Sequence, residues 1–349
     1  MMPSAISRSV ARCDTRFQQP KRHPLRFYKA ILPFVLPMGL LPTMALADDS
    51  ALSVKLENDG FASSDDGHFT SGFELNWMFT PEPQSWTQRL ATALPDSLIG
   101  EADRASYRLV HQIYTPNVIE RRDLIEDDRP YAGLVYGGVS LYEDKAVGRW
   151  QQATDLHLDV GLVGPSSQAD SIQREVHRVT DSDRPRGWRN QLGDEAILNL
   201  TMRRQWWHDA PLAGKQFSHG PSVGAALGNL YTYASVGYSV RWGDDAQGIP
   251  TLTPNPGSRH QLNGTSGWQW YLFANVEGYY MAQNLTLDGN TFRDSHSVDR
   301  NEWVAEASAG LALAWDAWQV TYAAVQRTRE FDGQDEQDTF GAVTLTRRF

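Results

Sequence analysis

The chain has 349 residues, a formal net charge of −10 and a mean hydropathy of −0.47. Such an acidic protein is a poor candidate for binding nucleic acid, because that function relies on basic side chains that neutralise phosphates. After residue 47 there is no run of about 18 apolar residues, which argues against a transmembrane helix.

Residues 1–47 have the pattern of a secretory signal. A basic stretch precedes an apolar run from Ala30 to Leu41, and the small-residue sequence ALA at 45–47 provides a cleavage site. We therefore expect a mature chain of residues 48–349 that forms one domain. Its 25 basic and 41 acidic residues give a formal charge of −16. Cys13, the only cysteine, would be lost with the signal, so we expect neither a disulfide nor a thiolate zinc site.

The mature chain is dominated by the period-two pattern of β-strands. Between 303 and 315 the odd positions are apolar, with Trp303 and Trp315 at the ends, while Glu306 lies on the polar face. Strands of about ten residues with aromatic ends fit a tilted strand that crosses a bilayer. The pattern predicts twelve strands, an even number as in bacterial barrels. They begin near Leu52, Phe69, Tyr107, Tyr131, Ala153, Ala196, Ser218, Tyr231, Trp268, Trp303, Trp318 and Thr339.

We predict an all-β fold, a transmembrane antiparallel β-barrel in the bacterial outer membrane. The polar face of the strands carries charged residues, which cannot line the dry middle of a sandwich without partners but can line a wet lumen. A secreted β-sandwich is the alternative, because its strands alternate as well. The tryptophans at the strand ends favour a lipid boundary.

Three connections are too long and polar to be tight turns: Thr80–Ala105, Asn117–Arg129 and Pro165–Asp194. Long loops at one end of a rigid barrel often carry function. We therefore expect functional groups in these loops and at the strand ends beside them.

A short helix is predicted inside the third of these loops, in the sequence DSIQREVHRV. Ile172, Val176 and Val179 recur at the spacing of one helical face. Gln173 and His177 lie one turn apart on the neighbouring strip, so we expect the apolar strip to pack on the barrel and the polar strip to face a cleft. A histidine there could act as a general base near neutral pH. The alternative is a histidine that is merely packed or solvated.

A second group of polar residues lies where the first strand ends, in the sequence ENDG. Glu57, Asn58 and Asp59 offer hard oxygen ligands of the type that calcium prefers. Thr70, on the next strand, is expected to share the polar face with Glu74. The alternative is an ordinary Asn-Asp-Gly turn of a hairpin.

Other hydrolytic motifs are missing from the sequence. It contains neither a GxSxG elbow nor HExxH, and it does not meet the EF-hand pattern. If the chain hydrolyses an ester, water activated by His177 is the expected nucleophile, aimed at a carbonyl that a metal polarises.

Several blocks of the sequence are similar to one known family. These blocks are ENDGF, FTSGF, QIYTP, DRPYAG, GNLYTY and, most specifically, GPSSQADSIQREVHRVTDSDRPRGWRNQL. The chain resembles the bacterial outer-membrane lipid A 3'-O-deacylases. The resemblance implies a twelve-stranded barrel whose site lies between the wall and a helix of an extracellular loop. It also implies hydrolysis of the ester that holds the 3' acyl chain of lipid A, with calcium forming the oxyanion hole and histidine activating water.

The resemblance also assigns roles to single residues. The family's Asn-Asp pair corresponds to Asn58 and Asp59, its strand-two hydroxyl to Thr70 and its histidine to His177. The glutamine one turn earlier corresponds to Gln173. The implied catalytic residues are therefore His177, Gln173, Thr70 and Asn58, and the implied calcium ligands include Asp59 and Asn58.

The resemblance leaves two positions less well defined. A basic residue after the QIYTP block corresponds to Arg121 or Arg122, which is expected to contact a lipid A phosphate. After the histidine the family has a functional glutamate, where this chain has Asp181 and Asp183. Aspartate is one methylene shorter, so either Asp181 or Asp183 replaces the glutamate or the chain does without it. We place Asp183 in the expected metal site.

The leading hypothesis is a monomeric, calcium-dependent deacylase that acts on lipid A in the outer membrane. A non-catalytic porin or binding barrel is the alternative from another class, and a general outer-membrane phospholipase is the enzymatic alternative. Ion conductance without a change in lipid A would favour the porin. The substrate alone would separate the two enzymes.

Overall fold

The computed structural model describes residues 49–62, 68–244 and 265–349. The predicted signal at 1–47 lies outside these residues. The described strands form one closed antiparallel barrel, in which strands adjacent in sequence pair with each other and the first pairs with the last. The prediction of a twelve-stranded barrel is therefore confirmed, and the β-sandwich alternative is wrong.

The strand bounds agree with the period-two pattern, since every predicted start lies within three residues of the observed one. The strands are β1 (Ser50–Asn58), β2 (Phe69–Phe79), β3 (Arg104–Tyr114), β4 (Ala132–Val147), β5 (Trp150–Val163), β6 (Glu195–Leu212), β7 (Lys215–Gly228), β8 (Tyr231–Gly243), β9 (Thr265–Asn284), β10 (Trp303–Asp316), β11 (Trp318–Arg327) and β12 (Asp338–Arg348). The helices are α1 (Trp86–Ala93), α2 (Ala169–Thr180) and α3 (Leu285–Asp288). None of the helices in the described ranges is long and apolar enough to cross a membrane.

The outer surface of the barrel is apolar, as the alternation predicts. Many of its large hydrophobic side chains are exposed, among them Leu109, Val160, Leu198, Leu227, Val236, Trp268, Val276 and Trp303. Aromatic pairs lie at both ends of neighbouring strands: Trp268 stacks on Trp315 at 5.1 Å, and Tyr280 meets Trp303 at 5.1 Å at the other end. An apolar band between two aromatic girdles is the surface that a barrel presents to lipid.

The lumen is packed with paired charges, whereas we expected it to be wet. Arg327 donates to Glu306 at 2.8 Å, and Arg108 bonds Asp159, with all four side chains buried. Opposite charges brought together from different strands satisfy each other without bulk water. The polar strand faces therefore fill the barrel instead of lining an open channel in the part that the structure describes.

The connections lie at two ends of the barrel. Connections that follow odd-numbered strands share one end, called here the distal end. Both termini of the barrel lie at the opposite, terminal end, where the Phe349 N–H donates to the Ser50 carbonyl. The predicted loops Asn117–Arg129 and Pro165–Asp194 are distal, but Thr80–Ala105 follows an even strand and lies at the terminal end, so grouping all three together was wrong. The distal end also carries two long connections that were not predicted, 285–302 and 328–337.

A buried histidine ties the distal connections to the barrel. His68 lies just before β2, with its Nδ1 2.9 Å from an Asp338 carboxylate oxygen and its Nε2 3.3 Å from an Asp128 carboxylate oxygen. Burial alone would lower the pKa of His68, but the hydrogen bonds to Asp128 and Asp338 outweigh it and raise the pKa to about 9. This histidine is therefore a charged link between the 115–131 connection and β12.

Candidate functional site

Helix α2 lies on the outer face of the wall formed by β3 and β4. Ala169 at its start packs in one apolar cluster with Ile113, Tyr131 and Trp188. Gly133 permits this approach, because a Cβ built there would lie 2.2 Å from the Ala169 Cβ. The helix predicted from the sequence is confirmed, and it is held against the lipid side of the barrel rather than over its lumen.

The orientation of α2 is the reverse of the predicted one. Gln173 is only 2% exposed and faces the wall, whereas Ile172 and Val179 are 40% and 46% exposed. The expectation that the apolar strip packs on the barrel was wrong. Beside a membrane the surroundings of a helix are lipid, so an apolar strip gains as much by facing outward as by facing the protein.

The side-chain amide of Gln173 is held through its oxygen, while its nitrogen is left without a hydrogen-bond partner in the described part of the chain. Its Oε1 accepts from the Trp188 indole N–H at 2.7 Å, and the indole packs against the Tyr131 ring at 4.9 Å. The Gln173 Nε2 is buried and has no hydrogen-bond partner among the described residues. A buried amide donor without an acceptor is costly, which makes it a candidate for contacting a substrate oxygen.

His177, one turn further along, is half-buried and oriented by the backbone. Its Nδ1 lies 2.5 Å from the Asp183 carbonyl oxygen. A carbonyl only accepts, so the neutral ring carries its proton on Nδ1 and leaves the Nε2 lone pair open. The chain returns to the ring because Asp181, the C-cap of α2, has a φ of 58°, and the Ser182 N–H then donates to the His177 carbonyl at 2.9 Å.

The contact between His177 and Asp183 bears on the family's glutamate, which this chain lacks after the histidine. The group that orients His177 is the Asp183 backbone carbonyl, which does not depend on side-chain length. The Asp183 side chain is exposed. Its role as a metal ligand stays a prediction.

Asn58 is the last residue of β1, and Asp59 follows it. The Asn58 side chain accepts from the Gly60 N–H at 3.0 Å and donates to the Thr70 carbonyl, which fastens the end of β1 to β2. Asp59 is 5% exposed and its carboxylate accepts from the Gly60 N–H at 2.7 Å. The Asn-Asp-Gly sequence thus does form a turn, a 3-10 helix at Asp59–Phe61, and it holds a buried carboxylate at the distal end.

Thr70 lies at a bulge and does not continue the inward face of β2. Between Phe69 and Ser71 the pairing with β3 shifts by one residue. Phe69 packs inside the barrel, and Glu74 is inward as well, so the residues between them change the alternation. The Thr70 hydroxyl instead lies 2.8 Å from the Thr115 hydroxyl. The prediction that Thr70 shares a face with Glu74 was therefore wrong.

The donor chemistry around Asn58 fits calcium better than a transition metal. In the described part of the chain, no three His, Cys, Asp or Glu side chains form a metal-holding group. Calcium also accepts amide and backbone carbonyl oxygens, and the end of β1 offers the Asn58 amide beside the buried Asp59 carboxylate. The two predicted groups, Asn58/Asp59 and Gln173/His177, lie at the same end of the barrel, and no hydrogen bond or ion pair connects them in the described ranges.

The two arginines after the QIYTP block have different surroundings. Arg122 lines a cleft with α2 and the segment Arg184–Arg186, while its carbonyl accepts from the Asn190 side chain at 3.0 Å. Arg121 lines a separate small cavity beside Tyr131. The structure thus places Arg122, and not Arg121, beside the helix that carries His177.

Comparison with known proteins identifies the family. The family described as Outer membrane protein LpxR matches residues 32–349. The chain belongs to the LpxR family. This confirms the resemblance to the lipid A 3'-O-deacylases and the location of the barrel in the outer membrane.

One solved structure supports the fold, and two others share less of it. LpxR from Salmonella typhimurium is similar with a TM-score of 0.69 and 21% identity, over 86% of this chain and 100% of that chain. The β domain of the Bordetella autotransporter Brka has a TM-score of 0.40 and 9% identity, over 86% of this chain and 98% of that one. The translocator domain of NalP from Neisseria meningitidis has a TM-score of 0.38 and 8% identity, over 86% and 88%. No curated protein matches the chain.

Proposed function

We propose that this outer-membrane protein hydrolyses the ester that holds the 3'-O-linked acyl chain of lipid A. The observation that carries the proposal is the setting of His177 within α2, a helix whose apolar strip faces outward. The Nδ1 of His177 is bonded to a backbone carbonyl while its Nε2 is open. Membership of the LpxR family supports the same activity. The active site lies on the outer side of the wall, where an acylated substrate can approach from the membrane.

His177 acts as the general base. Its Nε2 takes a proton from a water molecule as the water oxygen attacks the ester carbonyl carbon. The proton then passes to the sugar oxygen as the bond between that oxygen and the acyl carbon breaks. The Asp183 carbonyl holds the ring and stabilises the N–H at Nδ1 during both transfers. The products are a free carboxylic acid and a deacylated sugar hydroxyl.

Gln173 contributes a positioned donor. The Trp188 indole fixes its Oε1, so its Nε2 points in a defined direction from a buried site. This amide donates to the ester oxygen on which negative charge develops, because a donor already in place needs no reorganisation during the reaction.

Asn58 and Asp59 are the residues that would hold calcium, with Asp183 as a further ligand candidate. When bound, the ion supplies positive charge that stabilises an oxyanion. Thr70 keeps the Asn58 side chain in place through its carbonyl, and its hydroxyl is tied to Thr115. Thr70 therefore acts as a positioning residue, which fixes the Asn58 side chain at the end of β1.

The distal end faces outward, toward the leaflet that contains lipopolysaccharide. Three of the connections at the terminal end are very short, at 148–149, 213–214 and 317, as periplasmic turns of outer-membrane barrels are. We propose that the enzyme acts as a monomer. The packed lumen weighs against the porin alternative, since a pore needs a continuous wet path.

Purified protein in detergent micelles with lipid A and calcium tests the proposal. Mass spectrometry should show lipid A that has lost one 3'-linked acyl group, together with the free acid. A matched reaction with phosphatidylethanolamine should release no acid. If lipid A stays intact, or if phosphatidylethanolamine is the ester that is cleaved, the proposed function is wrong.

A further inference from the structure

Five arginines surround the cleft beside α2. We call it the arginine cleft; it has a volume of about 630 Å³ and is lined by Arg122, Ser171, Arg174, Glu175, Arg178, Arg184, Pro185 and Arg186. Glu175 is the one acidic residue in this lining. So dense a group of positive charge stands out in a chain whose formal net charge is −10.

The charges of the arginine cleft are only partly balanced by the protein. Arg174 pairs with Asp170, and the Arg178 Nε donates to Glu175 at 2.9 Å. The guanidinium groups of Arg122, Arg184 and Arg186 make no ion pair within the described ranges, although all three side chains are exposed at the distal end. Like charges gathered without partners repel one another, and an anion bound between them removes that cost.

The position of the cleft around α2 relates it to His177. At about 100° per residue, Ile172, Val176 and Val179 form one strip of the helix, and Arg174 and Arg178 belong to the strip on the opposite side. His177 lies between the two. The helix thus presents an exposed apolar strip on one side of the histidine and a basic strip on the other.

We propose that the arginine cleft binds the phosphorylated sugar headgroup of the substrate and so determines which ester reaches His177. The inference rests on the proposed function and extends it to Arg174, Arg178, Arg184 and Arg186. Guanidinium groups recognise phosphate through paired hydrogen bonds. A cleft of about 630 Å³ is large enough for a phosphorylated sugar and exceeds what a single phosphate requires. With the headgroup held there, the acyl chains extend along the Ile172 side toward lipid.

Binding measured without turnover tests the cleft separately from the chemistry. In a His177→Ala background, calorimetry compares micelles that contain lipid A with micelles that contain chemically dephosphorylated lipid A. Removing Arg184 and Arg186 together (Arg184→Gln/Arg186→Gln) should weaken binding of phosphorylated lipid A by roughly tenfold or more, and leave binding of the dephosphorylated form unchanged. Arg149→Gln, an exposed arginine in the 148–149 turn of the terminal end, is the matched control and should change neither.

The Glu175→Gln variant should change the affinity for phosphorylated lipid A in the opposite direction. Removing the one carboxylate of the lining frees Arg178, so binding of phosphorylated lipid A should become tighter. Equal affinity of the double variant and its parent for phosphorylated lipid A, or an equal loss for both lipids, would overturn the inference. With His177 restored, failure of the protein to release acid from either lipid would refute the proposed function, while the calorimetric comparison would still decide whether the cleft binds phosphate.

Discussion

Two histidines at the distal end show how the partner of an imidazole determines what it can do. His68 is buried between the carboxylates of Asp128 and Asp338, which raise its pKa to about 9 against the effect of burial. His177 is half-buried and has a neutral partner, the Asp183 carbonyl, on Nδ1. Two carboxylates keep a proton on each nitrogen of His68, whereas a carbonyl orients His177 and leaves Nε2 able to accept one. A histidine with two acids is a structural cation, and a histidine with a carbonyl can be a base.

The largest effect is expected at His177. Replacing it by Ala removes the base, and acyl release from lipid A should fall by roughly 10²–10⁴-fold while the barrel stays folded. The release rate of purified protein in micelles measures this, with heat-modifiable migration in gels as the check of folding. His219→Ala is the matched control, because that histidine also has a neutral partner on Nδ1, the Tyr238 hydroxyl at 2.6 Å, but lies toward the terminal end. Similar losses of acyl release in both variants would show that His177 has no special role.

Removal of calcium tests the role of Asn58 and Asp59 at the end of β1. In excess chelator, or with Asp59→Asn, acyl release should fall by about 10²-fold or more, because a carboxylate is the strongest ligand that the end of β1 offers. Added calcium should restore the chelated wild type and restore Asp59→Asn only at much higher concentration. Full activity in excess chelator would show that calcium has no part in catalysis.

Gln173 and Trp188 provide a graded test of the buried amide. Gln173→Leu keeps the apolar volume but removes the donor, so the rate should fall by roughly 10²-fold, as for loss of an oxyanion-hole donor. Trp188→Phe keeps the ring packed on Tyr131 and removes only the indole N–H that holds Gln173, so a smaller loss is expected. If Trp188→Phe were the more damaging change, packing rather than the amide would explain the effect.

His68 should affect stability far more than catalysis. Its pKa is about 9 in the folded barrel against 6.5 for the free side chain, so its contribution is full below pH 6.5 and is lost as the pH rises through about 9. His68→Asn should lower the free energy of unfolding by on the order of 3 kcal/mol at pH 6 and by much less at pH 10. Urea titrations in micelles at the two pH values measure this difference. A pH-independent difference, or loss of acyl release in the fraction that remains folded, would contradict the contrast with His177.

The barrel could be predicted from the sequence because its signal is repeated in every strand. A period of two, aromatic ends and polar breaks recur, so an error in one strand does not change the architecture. The bulge at Thr70 was missed because one extra residue in a strand leaves the local alternation looking regular on either side. The packed lumen was missed because the charges that pair there, such as Arg108 and Asp159, lie on strands far apart in sequence.

The helix that carries Gln173 and His177 was predicted, but its orientation on the barrel was not. Helical spacing identified α2, yet it does not say whether the apolar strip faces protein or lipid, and the structure turns Gln173 to the wall and Ile172 outward. The partner of His177 could not be read from residue types either, because it is a backbone carbonyl at Asp183. Nothing in the sequence distinguishes His68, since its two acids, Asp128 and Asp338, are distant in the chain.

The most direct test of the account is the mass of lipid A from cells that express this chain. Cells with the wild type and cells with His177→Ala are compared at equal amounts of folded barrel in the outer membrane. Lipid A that lacks one 3'-linked acyl group is expected in the first cells and intact lipid A in the second. Intact lipid A in both, or the same loss in both, would contradict it.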